Sequence, residues 1–256
     1  MKFKVISFLF VMIILLSSSA SHATIIGHWG FEEGSGTIAV DSINGLNGTI
    51  SNASYTSGII GNYALAFNGS NSFVEVAYNA LLNPDTVAIS LWFNPLGSQL
   101  THADLLDKGH GWETDPYFGG YVLQYDGDTS SIGAHYGNGS IFPSVNSGEG
   151  YKDNQWHHIV ANLGSDGLDI FMDGVLIESA ASAGPIVDND SPLYFGMHRT
   201  LGRYFNGSID EINIYDTALT QDEVNRLYGS SPVPEPASML LFGTGLVGAV
   251  LRRRRK

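Results

Sequence analysis

The stretch QWHHIVANLGSDGLDIFMDGVLIES, residues 155–179, decides the fold class. Within it HHIVANL (157–163), LDIFM (168–172) and VLIES (175–179) are short runs rich in β-branched and aromatic residues, separated by Gly, Asp and Ser, the composition of half-buried strands. Asp173-Gly174 alone separates the second run from the third, and a two-residue Asp-Gly connection signals a type I′ hairpin because both central residues need positive φ. Ser165-Asp166-Gly167 closes the hairpin before it. Working outward, FVEVA (73–77), AISLWF (88–93), YVLQY (121–125) and IDEINIY (209–215) read the same way. The chain is therefore expected to be all-β, a two-sheet antiparallel sandwich. One short helix is expected over about 221–228, where Thr220 and Glu223 form a capping box, Leu219 and Val224 a hydrophobic staple, and Leu227 and Tyr228 pack the helix back on the sheet.

The 256 residues suit one large domain rather than two, and 43% hydrophobic residues supply a core and exclude disorder. There is no cysteine, hence no disulfide framework. Charge is placed unevenly. Between residues 24 and 233 only Lys108, Lys152, Arg199, Arg203 and Arg226 are basic against 24 acids, a net charge of −19. Such a surface repels nucleic acid and anionic lipid, and divalent cations are its more natural partners.

Both ends read as addresses. Lys2 and Lys4, the apolar run VISFLFVMIILL and the small residues of SSSASHA make residues 1–23 a secretory signal peptide. The other end places Pro234-Glu235-Pro236 before an apolar segment from Ala237 to Leu251 and five consecutive cations. The prolines keep the entry extended, the apolar segment inserts, and the basic tail stays cytoplasmic. The chain thus divides into a signal peptide (1–23), one domain (24–229), a linker with the Pro-Glu-Pro motif (230–236) and a hydrophobic segment with a basic tail (237–256).

The blocks GHWGFEEGSGTIAVDSINGLNGTIS (27–51), YALAFNGSNSFVEVA (63–77), VAISLWFNP (87–95), the opening stretch, and FNGSIDEINIYDTALTQDEVNRLY (205–228) resemble the LamG-like jelly roll of the concanavalin A-like lectin/glucanase superfamily. That resemblance implies a jelly-roll sandwich. It also implies a calcium ion held by an Asp in the early turn and another near the last strand, places taken here by Asp41 and Asp210. The C-terminal tail resembles the PEP-CTERM sorting signal of Gram-negative bacteria, which implies an exosortase-type processing enzyme as partner, transient inner-membrane anchoring, and a final place at the cell surface or in the extracellular matrix.

No catalytic constellation emerges. The Glu-x-Asp-x-Glu strand of the superfamily's glucanases has its nearest counterpart in Glu113-Thr114-Asp115-Pro116-Tyr117, where Tyr replaces the last acid and Pro116 argues against a regular strand. His157 and His158 are adjacent, so on a strand they face opposite ways and cannot share a metal. The segment Asp41–Gly48 offers a carboxylate, amides and glycine-shaped turns, which suits the oxygen ligands of calcium. Ligand binding falls to the variable middle, with Trp112, Tyr117, Tyr136 and Arg203 as the ligand-contacting residues, because sugars stack on aromatic faces while polar groups fix their hydroxyls. The reading is an exported, non-catalytic, calcium-stabilised surface or matrix protein that binds glycan or protein. A self-associating structural matrix component and a glycan-active enzyme are the alternatives.

Overall fold

A computed structural model describes residues 22–109, 119–199 and 202–230. The signal segment up to residue 21, Trp112, Tyr117 and the Pro234-Glu235-Pro236 tail lie outside the described residues. The first half of the chain gives β1 (Ile25–Trp29), β2 (Ile38–Ala39), β3 (Gly48–Ser51), β4 (Ser54–Ser57), β5 (Tyr63–Asn68), β6 (Phe73–Val76), β7 (Thr86–Pro95), β8 (Ala103–Asp107) and β9 (Tyr121–Asp126). The second half gives β10 (Ser131–Tyr136), β11 (Ser144–Asn146), β12 (His157–Gly164), β13 (Leu168–Met172), β14 (Val175–Ala180), β15 (Leu193–Phe195), β16 (Asn206–Tyr215) and the helix α1 (Gln221–Gly229). All seven runs read from the sequence are strands. Asp173 and Gly174 have φ of 51° and 81°, as the type I′ hairpin between β13 and β14 requires.

The strands form two antiparallel sheets. The first runs β14-β13-β12-β7-β16-β5-β4, with β1 also paired to β16; the second runs β11-β10-β9-β8-β15-β6-β3-β2. Alternate residues of facing strands fill the space between them, among them Tyr121, Leu123 and Tyr125 from β9 and Ile159, Ala161 and Leu163 from β12. Each large apolar side chain buried there stabilises by roughly 1.5–3 kcal/mol. Aromatic residues in this layer keep a polar partner: Trp29 Nε1 donates to Leu46 O (3.0 Å), Tyr121 Oη to Leu82 O (3.1 Å) and Tyr125 Oη to Tyr151 O (3.0 Å).

β7 is buried on both faces for a separate reason. Val87, Ile89, Leu91 and Phe93 face the inter-sheet core, while Ala88 joins Val160, Phe171, Leu219 and Val224 in a second cluster beneath α1. The helix starts where the sequence places it: Thr220 and Glu223 satisfy each other's N-terminal groups in a complete capping box. Leu219 and Val224 are both buried, and Tyr228 stacks on Trp92 at 5.7 Å and 17°.

His157 and His158, at the start of β12, separate as strand geometry demands. His158 turns to Trp92 (4.9 Å between ring centroids), whereas His157 sits between two carboxylates, Nδ1 2.9 Å from Asp173 Oδ2 and Nε2 3.1 Å from Asp153 Oδ1. Burial pushes the His157 pKa down, but the two carboxylates outweigh it and the net shift is upward. A histidine with a raised folded pKa contributes stability that is complete below the unfolded pKa of about 6.5 and is lost as pH rises through the folded value. Thermal melts of the wild type should therefore decline above the neutral range, and His157→Gln should flatten that decline. Parallel curves for the two proteins between about pH 5 and about pH 9 would assign the pH dependence to another group.

Candidate functional site

The outer face of the second sheet gathers the polar chemistry. In β9, Tyr121, Leu123 and Tyr125 point into the core, which leaves Val122 and Gln124 on the opposite face. β8 pairs Asp104 with Gln124 and Asp107 with Val122, and a register shift between Asp104 and Leu106 lets Leu105 and Leu106 both enter the core. That bulge returns both acids of ADLLD to the outer face. His135 of β10 pairs with Val122, and Tyr194 of β15 pairs with both Asp107 and Glu75. Beside them the Phe73 and Tyr194 rings meet edge-on at 6.1 Å.

Beyond β15 the backbone at Met197 and Tyr204 continues the second sheet beside β8. Tyr204 bridges Asp104 on one side and Met197 on the other, and His198 N–H donates to Arg203 O at 2.9 Å, which sets His198, Arg199 and Arg203 beside the two acids. Asp107 Oδ1 accepts from Gly109 N–H and Oδ2 from Arg199 N–H at 3.0 Å. Asp104 and Asp107 are both 0% exposed. Burial pushes both carboxyls up, Asp104 well above the usual range with Asp107 adding to the effect and Arg203 opposing it. Lys108 is pulled down to about 8 by burial, and its Nζ donates to Asn189 Oδ1 at 3.0 Å. His135 is lowered to about 4, again by burial.

Of the ligand-contacting residues expected from the sequence, Arg203 lies half-buried on this face. Trp112 and Tyr117 belong to the segment between β8 and β9, outside the described residues. The ends of that segment are pinned beside Asp107: Asn189 Nδ2 donates to Lys108 O and Gly109 O, both at 3.0 Å, and Gly120 N–H donates to Val187 O. Tyr136 requires a correction. It is 0% exposed in the inter-sheet core, its hydroxyl donating to Gly184 O at 3.0 Å, because its place on β10 has the parity of Ile132 and Ala134. Asp104, Asp107, Gln124, His198 and Tyr194 were not singled out from the sequence. The available signal was two acids three apart within an apolar run, which a regular strand would have sent to opposite faces.

Asp41 and Asp210 do not fit calcium. A carboxylate offers about four lone-pair positions, and Asp41 spends them on the backbone N–H groups of His28, Ile43, Asn44 and Leu46, at 2.9–3.0 Å. Burial raises its pKa, yet those four donors outweigh burial and hold it below the usual value. Asp210 accepts from Ile59, Ile60 and Glu211 N–H and is pushed up to about 7 by burial. At Asp41 the converging donors outweigh burial, whereas at Asp210 burial outweighs its three donors. The early turn and the last strand do meet, through His28: Nδ1 lies 2.8 Å from Ser42 Oγ and Nε2 3.0 Å from Glu211 Oε2.

A cavity of about 280 Å³ lies between α1 and the first sheet and is lined by His28, Ser90, Trp92, His158, Glu211 and Asn213 among others. Ser90 Oγ and His158 Nε2 are 2.9 Å apart there, with His158 pushed down to about 4 by burial. His158 Nδ1 has no hydrogen-bond partner, so no acid orients the imidazole as a Ser-His nucleophile needs. For the early turn the expected outcome is that Asp41→Ala lowers the melting temperature, since each buried N–H left unpaired costs about 1–3 kcal/mol. The loss should be equal with and without millimolar calcium in differential scanning fluorimetry; a calcium-dependent gap between wild type and variant would make Asp41 a ligand after all.

Residues 68–225 match the family model of the concanavalin A-like lectin/glucanases superfamily, and residues 232–255 match the PEP-CTERM protein-sorting motif. No sequence among the curated proteins matches the chain. Among solved structures it is similar to the binding domain of Paraclostridial Mosquitocidal Protein 1, at 18% identity and a TM-score of 0.66 over 80% of this chain and 52% of that one. It is similar to domain 4 of AbnA, a GH43 extracellular arabinanase from Geobacillus stearothermophilus solved with arabinotriose, at 20% identity and a TM-score of 0.61 over 80% of this chain and 98% of that one. The botulinum neurotoxin serotype D/C binding domain gives 15% identity and a TM-score of 0.62 over 80% and 52%. The chain spans about half the length of each toxin binding domain, and at these identities the likeness is one of fold. The family match begins at Asn68, but β1, β3, β4 and β5 pair into the same two sheets. By that match and by its paired antiparallel sheets, the chain belongs to the concanavalin A-like lectin/glucanase superfamily, and it carries a PEP-CTERM sorting motif at 232–255.

Proposed function

We propose that the chain is an exported, non-catalytic surface or matrix protein whose jelly roll binds glycan on the outer face of the second sheet. The observation that carries this is the pairing, on one face, of the half-exposed rings of Phe73 and Tyr194 with the polar groups of Gln124, Glu75 and Arg203. Aromatic faces stack on the apolar side of a sugar while neighbouring polar groups take its hydroxyls. The likeness to an arabinanase domain solved with arabinotriose supports glycan as the ligand class. Asp104 and Asp107 approach the spacing of a retaining pair of carboxylates, but both are 0% exposed and out of reach of a glycosidic bond.

A second reading, self-association within a matrix, is favoured by one feature. β14 is an edge strand exposed along its whole length, and Val175, Leu176 and Ile177 are 60%, 45% and 43% exposed. An uncovered apolar edge is a template for another strand.

Binding of the purified protein to a glycan array and to soluble arabinan decides between them. Arg203→Ala and Tyr194→Ala should each weaken binding about tenfold or more without changing the melting temperature by more than a few degrees. Glycan binding unaffected by either variant would remove the second sheet as the site. Concentration-dependent sedimentation abolished by Ile177→Lys, with no glycan bound, would favour the matrix reading, and release of reducing sugar would overturn the non-catalytic one. For export, mass spectrometry of both termini of surface material should find a mature chain that starts near Thr24 and lacks the residues after the Pro234-Glu235-Pro236 region, as exosortase-type processing requires. An intact Arg252–Arg255 tail on surface protein would contradict it.

A further inference from the structure

Two carboxylates sealed from water need a counter-charge, and among the described residues Arg203, Arg199 and Lys108 act on them through space. One oxygen each of Asp104 and Asp107 and one ring nitrogen of His198 all lie within 4.8 Å of one another, and the three residues are 0%, 0% and 2% exposed. Among the described residues the ion-pair contact that either acid makes within 4.0 Å is to His198 Nδ1, at 4.0 Å from Asp107 Oδ2. Arg203 acts on Asp104, and Arg199 and Lys108 act on Asp107, through space; Arg199 Nη1 also donates to Ser191 Oγ at 2.6 Å. The cluster also contains an unused ligand atom. Asp104 Oδ1 accepts from Gln124 Nε2 at 3.0 Å, while Oδ2, wholly buried, accepts no hydrogen bond. By lone-pair count Asp104 uses one of about four positions and Asp107 two, where Asp41 uses all of them.

We propose that Asp104, Asp107 and His198 form a binding site for a divalent transition-metal ion, with Zn2+ the ion they suit best. Two carboxylate oxygens and one imidazole nitrogen are a mixed donor set that Zn2+ accepts, whereas Ca2+ takes six to eight oxygens. Tetrahedral bonds of about 2.0–2.1 Å hold ligand atoms about 3.3–3.4 Å apart. Binding the ion requires the 4.0 Å between Asp107 Oδ2 and His198 Nδ1 to close to that distance. The ion lies between β8 and His198, so it ties the segment that follows β15 to the sheet, and three protein ligands leave a coordination position open. The alternative way to neutralise the pair is a proton held on Asp104.

The test uses the full chain, stripped with a chelator and then equilibrated with Zn2+, Mn2+ or Ca2+. Bound metal is counted by mass spectrometry after gel filtration, and melts are recorded alongside. The expected result is one tightly held Zn2+ per chain and a melting temperature raised by about 5–10 °C at a hundredfold excess over Kd. Mn2+ should give a smaller rise, and Ca2+ little. His198→Gln, which keeps the volume and a polar end, and Asp104→Asn should each remove that one ion, while His157→Gln retains it and so excludes adventitious histidine binding. Should Asp104→Asn fail to fold, His198→Gln alone carries the comparison. A zinc count unchanged in His198→Gln, or no tight zinc in the wild type, would overturn the proposal, and a protonated-carboxyl infrared band lost in Asp104→Asn would then assign the proton.

Discussion

The first sheet depends on its last strand. β16 pairs with β7 along one edge and on the other serves two partners in succession, β5 through Asn206–Ile209 and β1 through Ile212–Tyr215. Between the two partners β16 carries a register shift against β7, from Asp210 to Asn213, with Glu211 at a φ of 51°, which bends and twists the strand there. At the same strand Gly207 has a φ of 153°, and a Cβ there would stand 2.3 Å from Asn94 O, so only glycine lets β16 approach β7 that closely. Because β1 begins at residue 25 and its partner ends at residue 215, the sheet closes only when almost the whole domain has been made. Such non-local pairing folds slowly.

The break in β16 also explains what the nearby acids do. Asp210, at the bulge, faces the N–H groups of Ile59 and Ile60, and Glu211, turned outward by its positive φ, reaches His28. Glu32 likewise accepts from Asn62 and Tyr63 N–H. Asp41, Asp210 and Glu32 are thus stabilised by backbone donors, each such charge-assisted bond being about twice as strong as a neutral one. Several of the acids behind the −19 balance are held by donors of the chain itself rather than by cations.

Period-two patterning and turn chemistry made the frame legible: Asp173-Gly174 fixed a hairpin, and Thr220 with Glu223 fixed a helix start to the residue. Short or irregular strands escaped. β2 has two residues and β15 three, too few for a period to register, and β8 hides its alternation because a bulge places Leu105 and Leu106 on one side. Tyr136 misled for a different reason. An aromatic residue among glycines in a variable stretch has the composition of a binding rim, yet facing inward on β10 is settled by pairing with Tyr121, a contact no local window contains.

Asp41 and Asp104 show where such reading stops. Both are acids in or beside apolar sequence, both are buried, and composition cannot rank one above the other as a ligand. What separates them is how many donors already occupy each carboxylate: four backbone N–H groups converge on Asp41, because the 41–46 turn curls around it, while the bulged strand β8 leaves Asp104 with one side-chain amide. A turn that looks like a cation loop is therefore satisfied by its own backbone, and a strand that looks like core keeps an oxygen free. The difference lies in where N–H vectors point, a property of the folded backbone, so the scaffold of this domain can be read from residue order and its binding chemistry cannot.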